Sequence, residues 1–355
     1  MLNLHDYHKQ HALGFVQRGA LSFPLQYRNH QEEYAAAETT AMFDGSAFGK
    51  LHVLGKDREA LLHRLTTNEM RDLPVGATRV NVFTNAKGRV IDRVEMLVQA
   101  DRYLLLTSPG YGETLRVWID KYIFIEDVKV REVTNEFGLI ALFGTEGAAQ
   151  IQKILGLGSR DLETGHFSTH SWNGQELLIH RPESARLARY NLIIAAEAIS
   201  DLWHALLPSF TPIGFAAVET LRIMQGIPMA PHELSEEYNP HEVGLYSLIN
   251  FEKGCYIGQE VVARLDTYQK VQRRLVGIKL EAEPNDLESA ALFVEQQEIG
   301  KLTSIAHAPN GQGAIGLAVV RKQYTDTETK VEVRALNGEV KPATLTPLKG
   351  AMPSQ

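Results

Sequence analysis

The middle of the chain alternates between a helical pattern and strand-like runs. Three leucines recur at helical spacing behind Asp57, a residue type that caps helices, so the spacing predicts a helix over 57–65. Residues 79–84 and 89–98 have strand composition, and the turn-forming stretch 85–88 between them predicts a hairpin. The same reasoning predicts one more strand and one more helix, at 103–107 and 111–122. Together these elements predict an α+β unit.

The later part of the chain contains a region with mixed helix and strand patterns, followed by a region with strand patterns. Asn173 and Gly174 form the pair typical of a tight hairpin turn, and 216–225 is predicted to be a helix that ends at Gly226. From Arg273 onward, short apolar runs are separated by turn residues and show little helical spacing. The middle region is therefore also expected to be α+β, and the C-terminal region is expected to be a small all-β module.

Composition narrows the class of protein. The 355 residues are 44% hydrophobic and 22% charged, which excludes intrinsic disorder, and the length argues for two or three domains. A formal net charge of -7 gives no general attraction to nucleic acid or to an anionic membrane. The chain contains a single cysteine, which precludes an intrachain disulfide and suits a reducing cytosol. No signal peptide or transmembrane span is visible, so we expect a cytoplasmic protein.

A group of cations precedes the all-β module. Its members lie close together in sequence with Asp266 as the local opposing charge, and they are Arg264, Lys270, Arg273 and Arg274. Such a cluster is typical of either a solvated junction between domains or a site for an anionic ligand. The pattern does not separate the two alternatives.

Asp92 is an acid within an apolar strand pattern. Alternation places it on the same face as Val90, Val94, Met96 and Val98. A carboxylate on such a face must be paired, protonated or held by buried donors, so it is a candidate for proton chemistry. The alternative is a structural Asp that ties down the turn at 85–88.

The segment 253–260 carries a cation, a thiol, an amide, an acid and two glycines within eight positions. The glycines allow tight turns or close approach to a ligand. Cys255 would be reactive if its pKa were lowered, but a lone cysteine is also commonly a small buried hydrophobe. The sequence does not tell whether Cys255 is exposed.

Two other motifs match the residue spacing of known binding sites but lack the structural context that those sites need. Residues 311–316 match the spacing of a dinucleotide-binding loop, but a strand pattern follows them where that motif needs a helix. His5, His8 and His11 have helical spacing, yet histidines in a terminal segment are more commonly surface residues than metal ligands. We therefore expect no metal site.

The segment 253–260 resembles the K-G-C-Y-x-G-Q-E signature of the YgfZ-type folate-binding proteins, which are relatives of the glycine-cleavage T-protein (aminomethyltransferase). Further segments resemble T-protein-like sequences along most of the chain: FPLQY at 23–27, MFDGSAFGKLHVLGKD at 42–57, LTTNEMRDLPVG at 65–76, TNAKGRVID at 84–92, and IGKLTSIAHAP with GAIGLAVV within 299–320.

This resemblance implies an α+β, three-domain T-protein-like ring around a central hole that binds a reduced folate, closed by a C-terminal all-β barrel domain. The implied domains are a discontinuous folate-binding domain (1–50 plus 137–250), a second α+β domain (51–136), a junction with the signature (251–272) and the barrel (273–355).

The resemblance also implies roles for particular residues. Asp92 aligns with the T-protein acid that makes the folate amine a better nucleophile, and Cys255 is the functional thiol of the signature, so both are catalytic candidates. The implied cofactor is tetrahydrofolate or a derivative. Its predicted contacts are Asn85, Arg181, Glu219, Arg222, Lys253, Gln259 and Glu260. Lys253 and the cations of 264–274 match the anionic glutamyl tail of folate.

Differences from the T-protein motifs indicate which branch of the family the chain resembles. The pterin-holding Y-T-G-E-x-G segment is replaced by 179–183, with Arg181 as a substitute, and A-R-D-x-L-R becomes 217–222, which retains Arg222. The cysteine-containing signature favours the branch associated with assembly or repair of iron–sulfur proteins. A folate-dependent aminomethyl- or methyltransferase or demethylase is the enzymatic alternative, and a scaffold that has lost the ligand is the third.

Overall fold

A computed structural model of the chain describes residues 4–157, 163–183, 188–284, 287, 289–326, 328–335 and 337–348. Two structural units can be distinguished in it, and both are discontinuous in sequence. Unit 1 comprises Met1–Leu65, Glu69–Asn81 and Arg93–Val218. Unit 2 comprises Thr66–Asn68, Val82–Asp92 and Glu219–Gln355.

Helices and strands are interspersed along the described residues. The α-helices are α1 (Leu4–His11), α2 (His30–Thr39), α3 (Arg58–Leu65), α4 (Gly112–Asp120), α5 (Gly147–Leu155), α6 (Ile199–Leu206), α7 (Phe215–Gln225) and α8 (Gln259–Thr267). The strands before α7 are β1 (Phe15–Arg18), β2 (Leu21–Pro24), β3 (Ala41–Asp44), β4 (Phe48–Leu54), β5 (Thr78–Thr84), β6 (Val90–Val98), β7 (Arg102–Pro109), β8 (Lys129–Glu132), β9 (Phe137–Phe143), β10 (His166–Trp172), β11 (Gln175–Arg181), β12 (Arg189–Ala195) and β13 (Thr211–Pro212). Those after it are β14 (Arg273–Leu280), β15 (Ala291–Val294), β16 (Gln297–His307), β17 (Ala314–Arg321), β18 (Lys330–Arg334) and β19 (Val340–Thr346).

A sheet with the order β10-β11-β12-β9-β3-β13 forms the centre of unit 1. Its strands are antiparallel except for β13, which pairs in parallel with β3. Helices α1 and α6 contribute Leu4, Tyr7, Leu202 and Trp203 to the apolar core that also contains inward residues of this sheet, such as Ile140. Burial of these side chains holds the helices against the sheet.

A second sheet has the order β5-β6-β7-β4-β8. It contains the hairpin predicted from 79–84 and 89–98, and the helices predicted at 57–65 and 111–122 are present as α3 and α4. The hairpin between β10 and β11 is also confirmed, because Trp172 pairs with Gln175 and the two residues between them have positive φ angles. These local predictions are confirmed because short-range spacing and turn chemistry determine them.

The C-terminal part of unit 2 is a closed barrel with the strand order β14-β17-β16-β15-β18-β19. Its interior is apolar, with Ile278, Leu302, Val320 and Val333 among the buried residues. This confirms the predicted all-β module. Gly311 and Gly313 lie before β17, so the G-x-G-x-x-G spacing leads into a strand, as expected.

His8 corrects the expectation that the N-terminal histidines lie at the surface. The segment forms α1 as its spacing indicated, and His5 and His11 are exposed, but His8 is only 4% exposed. Helical spacing puts His8 beside Tyr7 on the buried face, where its ring nitrogens contact Tyr27 and Asp44. A histidine that is hydrogen-bonded on both nitrogens can be buried at low cost.

Candidate functional site

Asp92 lies in β6 and is fully buried. Its burial was predicted, but both faces of β6 are covered, with Arg93 as the least buried residue of the strand. The alternation that suggested one apolar face therefore describes a strand buried on both sides. The preceding turn is held by Asn85, whose Oδ1 accepts hydrogen bonds from the backbone N–H groups of Lys87 and Arg89 at 2.9 and 3.0 Å.

Lys253 anchors the signature segment. Its side chain is buried, and Nζ donates to the carbonyl oxygens of Thr66 and Asn68, both at 2.7 Å. The same ammonium lies 5.4 Å from the centre of the Tyr256 ring. Buried cations require such acceptors. The geometry supports a positioning role for Lys253, and its predicted contact with a folate tail stays a prediction.

The other end of the signature segment packs on the turn at 85–88. Gly258 has a φ of 83°, and a Cβ there would lie 2.5 Å from the carbonyl oxygen of Asn85. Thr84 Oγ1 donates to the carbonyl of Ile257 at 2.6 Å. Only glycine combines this backbone angle with so close an approach. The signature segment and the turn that leads into the Asp92 strand are therefore neighbours in unit 2.

Cys255 is exposed. Gly254 before it is also exposed, whereas Tyr256 after it is buried. The chain thus presents the thiol to solvent from a segment that is fixed on both sides. This settles the question of exposure that the sequence left open.

Gln259 and Glu260 begin α8, which follows Gly258 directly. Glu260 is exposed in the first turn, where its charge is favourable with respect to the helix dipole, and Gln259 is half-buried. Asn85 donates from Nδ2 to Glu236 at 2.7 Å. Their predicted contacts with folate stay predictions.

Glu219 and Arg222 lie in α7 and take part in a buried ionic network. Arg222 pairs with Glu219 and, at 3.3 Å, with Glu233, and it donates to Ser304 Oγ at 2.6 Å. Glu233 also accepts from the hydroxyl groups of Thr303 and Ser304 at 2.6 Å each. Burial lowers the pKa of Arg222, but the two carboxylates outweigh it and raise the pKa above its usual value. This network joins α7 to barrel strand β16.

Arg181 ends β11 and belongs to unit 1, unlike the other predicted site residues. Its guanidinium lies 5.4 Å from the centre of the Tyr190 ring. Cation–π contact of this kind orients a half-buried arginine. A role for Arg181 in holding the pterin stays a prediction.

An acidic loop that was not predicted from the sequence meets the cation cluster. Arg273 donates from Nε to Glu242 at 2.9 Å, and its guanidinium lies 4.9 Å from the Tyr238 ring. Lys301 approaches the same ring at 5.5 Å and binds Glu237 at 2.5 Å. The protein's own carboxylates therefore engage Arg273. The acid-rich stretch 233–242 was the signal that could have revealed this pairing.

Arg264 and Lys270 differ from Arg273 because both are exposed.

Among the described residues, no group of three or more His, Cys, Asp or Glu side chains is arranged to hold a metal ion. No helix within the described ranges is long and apolar enough to cross a membrane.

Comparison with known families identifies the chain. The model of the GCVT N-terminal domain matches residues 4–253, and the model of the glycine cleavage T-protein C-terminal barrel domain matches residues 273–349. The chain belongs to the glycine cleavage T-protein family. Membership confirms the superfamily that the sequence segments suggested.

Several individual proteins are similar to this chain. An Arabidopsis thaliana protein named "Putative transferase", chloroplastic, is 33% identical over 82% of this chain and 67% of its own length. The aminomethyltransferase of Chlorobium luteolum is 27% identical over 97% of this chain and 96% of its own length. The crystal structure of the glycine cleavage system aminomethyltransferase T from Bartonella henselae superposes with a TM-score of 0.86 at 20% identity, covering 100% and 99% of the two chains. The predicted α+β fold class with a C-terminal barrel is thus confirmed.

Proposed function

We propose that this T-protein family member binds a reduced folate and supports iron–sulfur proteins through Cys255. The observation that carries the proposal is the exposed thiol within the K-G-C-Y-x-G-Q-E segment. Lys253 and Gly258 fix the segment on either side of the thiol, and neither contact needs Cys255 itself. An exposed thiol on a fixed segment suits a role toward another molecule.

A single thiol limits what that role can be. Iron–sulfur clusters are usually held by four cysteine thiolates, and this chain has one. Cys255 would therefore act with a partner, either an iron–sulfur protein or one of its assembly factors. The thiolate is the reactive form toward metals and disulfides.

The donor set of unit 2 is compatible with tetrahydrofolate. In this proposal the buried carboxylate of Asp92 accepts a hydrogen bond from an N–H group of the reduced pterin. Arg264 and Lys270 are exposed cations that suit the carboxylates of a glutamyl tail. Tetrahydrofolate, when bound, supplies an amine that accepts a one-carbon unit. Asp92 would orient that amine and take up its proton.

The thiol is tested by complementation. In cells depleted of this protein, the wild-type chain should restore the activity of an iron–sulfur enzyme, and Cys255→Ala should not. Glu252→Ala, at an exposed neighbouring position, serves as the matched control and should restore activity fully. Restoration by Cys255→Ala to the wild-type level would refute the role of the thiol.

Folate binding is tested separately by calorimetry with tetrahydrofolate. Saturable binding by wild type and by Cys255→Ala is expected, because the thiol is proposed to act on a partner. No heat of binding in the wild-type protein would favour the scaffold that has lost its ligand.

A second candidate is a tetrahydrofolate-dependent aminomethyltransferase, or a related methyl-transferring or demethylating enzyme. Relatives named aminomethyltransferase match nearly the whole chain, and the buried Asp92 is a suitable general base. Asp92→Asn keeps the side-chain volume but cannot accept the proton. We expect one-carbon transfer to tetrahydrofolate to fall by about 10²- to 10⁴-fold.

The exposed Asp101→Asn is the control for this loss and should retain full turnover. Thermal unfolding of both variants separates loss of a base from loss of the fold. Unchanged turnover by a folded Asp92→Asn protein would remove the mechanism.

A further inference from the structure

Unit 1 contains a cavity of about 340 Å³, and none of the predicted folate contacts lines it. Its wall includes Tyr7 and His11 of α1, Tyr27 and Arg28 of the segment after β2, and Ser209 and Thr211 near β13. Cavities that hold small ligands begin at about 300 Å³. The size is therefore that of a small-molecule site.

The charged groups around this cavity favour an anion. Arg28 is exposed, and no ion pair of its guanidinium is found within the described residues, while its charge acts at longer range on the buried carboxyl group of Glu33. No carboxylate is present among the described lining residues. The His11 ring lies 4.3 Å from the Tyr7 ring, and its nitrogens add polar atoms to the wall. Ser209 and Thr211 add hydroxyl donors.

The wall of the cavity is fixed from behind by a hydrogen-bonded relay. His8 Nε2 lies 3.0 Å from Asp44, and His8 Nδ1 lies 2.6 Å from the Tyr27 hydroxyl. Burial raises the pKa of Asp44, but hydrogen bonds from His8 and Ser46 outweigh it and leave the pKa below its usual value. The ionised Asp44 therefore accepts from His8. The relay ties α1 and Tyr27 to β3.

Glu33 fixes the backbone that carries Arg28. This buried carboxyl group accepts hydrogen bonds from the backbone N–H groups of Tyr27, Arg28 and Gly214, the latter two at 2.9 and 2.8 Å. Its oxygens are thus occupied by backbone donors, and Glu33 does not line the cavity. The guanidinium of Arg28 remains available on a backbone that is held in place.

We propose that this cavity is a binding site for a small oxyanion, a carboxylate or a phosphate, with Arg28 as its anchor. The planar guanidinium matches either group with two parallel hydrogen bonds. Hydroxyl groups and the Tyr7 ring complement the rest of the ligand. A wall that is organised before the ligand arrives lowers the cost of binding.

The test uses the full chain and two probes, benzoate for the carboxylate and inorganic phosphate, titrated by calorimetry. Saturable binding of one ligand per chain is expected for at least one probe. Binding of benzoate with no binding of phosphate assigns a carboxylate site, and the reverse result assigns a phosphate site. Absence of saturable binding for both probes overturns the proposal.

Variants locate the binding. Arg28→Gln should weaken it by about tenfold or more, because a charge-assisted hydrogen bond is lost, and Arg28→Lys should fall between wild type and Arg28→Gln. Arg131→Gln removes the same charge from an exposed position of unit 1 outside the cavity and should change nothing.

Equal weakening by Arg28→Gln and Arg131→Gln would show a general charge effect and refute the site. Binding that survives Arg28→Gln in a protein with the wild-type melting temperature would refute it as well. The affinity for tetrahydrofolate should be the same in Arg28→Gln and wild type, so failure of this proposal and failure of the folate proposal give different results.

Discussion

At the scale of single residues, the signature segment (253–260) contains buried side chains that fix its position and one thiol that is accessible to solvent. Lys253 and Tyr256 are buried and contact each other, whereas Cys255 between them is exposed. The thiol therefore contributes little to packing. Surface substitutions of this kind change stability by no more than about 0.5 kcal/mol.

The first prediction concerns the accessibility of that thiol. Ellman's reagent should modify one thiol per chain in the native protein at a rate close to that in urea, because Cys255 is exposed. Cys255→Ala should give no reaction and should unfold within about 0.5 kcal/mol of wild type. Modification that appears only after unfolding would contradict the exposed position.

At this scale the sequence predicts which residues are buried, but not which distant residues they contact. The burial of Asp92 follows from its apolar neighbours in sequence. The engagement of Lys253 with Thr66 and Asn68, and of Arg222 with Ser304, depends on contacts between residues distant in the chain. Periodicity carries no information on such pairs.

At the scale of elements, unit 2 depends on close contacts between loops and neighbouring elements. The signature segment approaches the turn at 85–88 through Gly258, and the loop at 233–242 is bound to α7 and to barrel strands through its carboxylates. The contact through Gly258 and the contacts of the loop with the barrel strands join segments far apart in sequence. Each can be tested with a matched pair of variants.

The second prediction compares two glycines with similar backbone angles. Gly258→Ala and Gly174→Ala both place a side chain at positive φ, 83° and 78°, at a cost of about 1 to 2 kcal/mol. Only at Gly258 would the new Cβ also meet backbone atoms, whereas nothing lies within 4 Å at Gly174. Urea unfolding should show a larger loss for Gly258→Ala. Equal losses would mean that the close approach has no energetic weight.

The third prediction concerns the ionic network of α7. Arg222→Met leaves Glu219 and Glu233 buried without their cation and should lower the free energy of unfolding by about 3 to 5 kcal/mol. Arg131→Met, which removes a pair with Glu136 in which both residues are exposed, should cost no more than about 1 kcal/mol. A small loss for Arg222→Met in chemical denaturation would argue against the network.

At the scale of the whole molecule, buried histidines link stability to pH. Burial lowers the pKa of His180 to about 4. The nearby Arg189 acts in the same direction, and the carboxylate of Glu95 acts against it. Burial and two nearby arginines lower the pKa of His52 to about 4. An unfolded histidine titrates near 6.5, so unfolding takes up protons between pH 6.5 and 4. The stabilisation is fully present above pH 6.5 and is lost as the pH falls through this range.

The fourth prediction follows from the direction of this pH dependence. The free energy of unfolding should decrease as the pH is lowered from 7 to 4, with each buried histidine contributing about 1.4 kcal/mol per pH unit at most. His180→Gln should make this dependence shallower than in wild type. Urea unfolding at several pH values measures the slopes. A slope that His180→Gln does not alter would contradict the assignment.

More of the fold than of the candidate site could be predicted from the sequence. Turn residues such as Asn173 and Gly174, and the change of pattern at Arg273, determine local elements and the barrel region. Where segments distant in sequence meet could not be obtained in the same way. The burial of His8 between Tyr27 and Asp44 is an example, because its partners come from two later segments.

The exposed position of the single cysteine has a consequence for oxidation. Within these 355 residues Cys255 has no second thiol to pair with. A disulfide formed by this chain must therefore join it to another molecule, such as a second copy or a small thiol. Oxidation would then appear as a covalent dimer or a mass adduct, and a reductant would reverse either product.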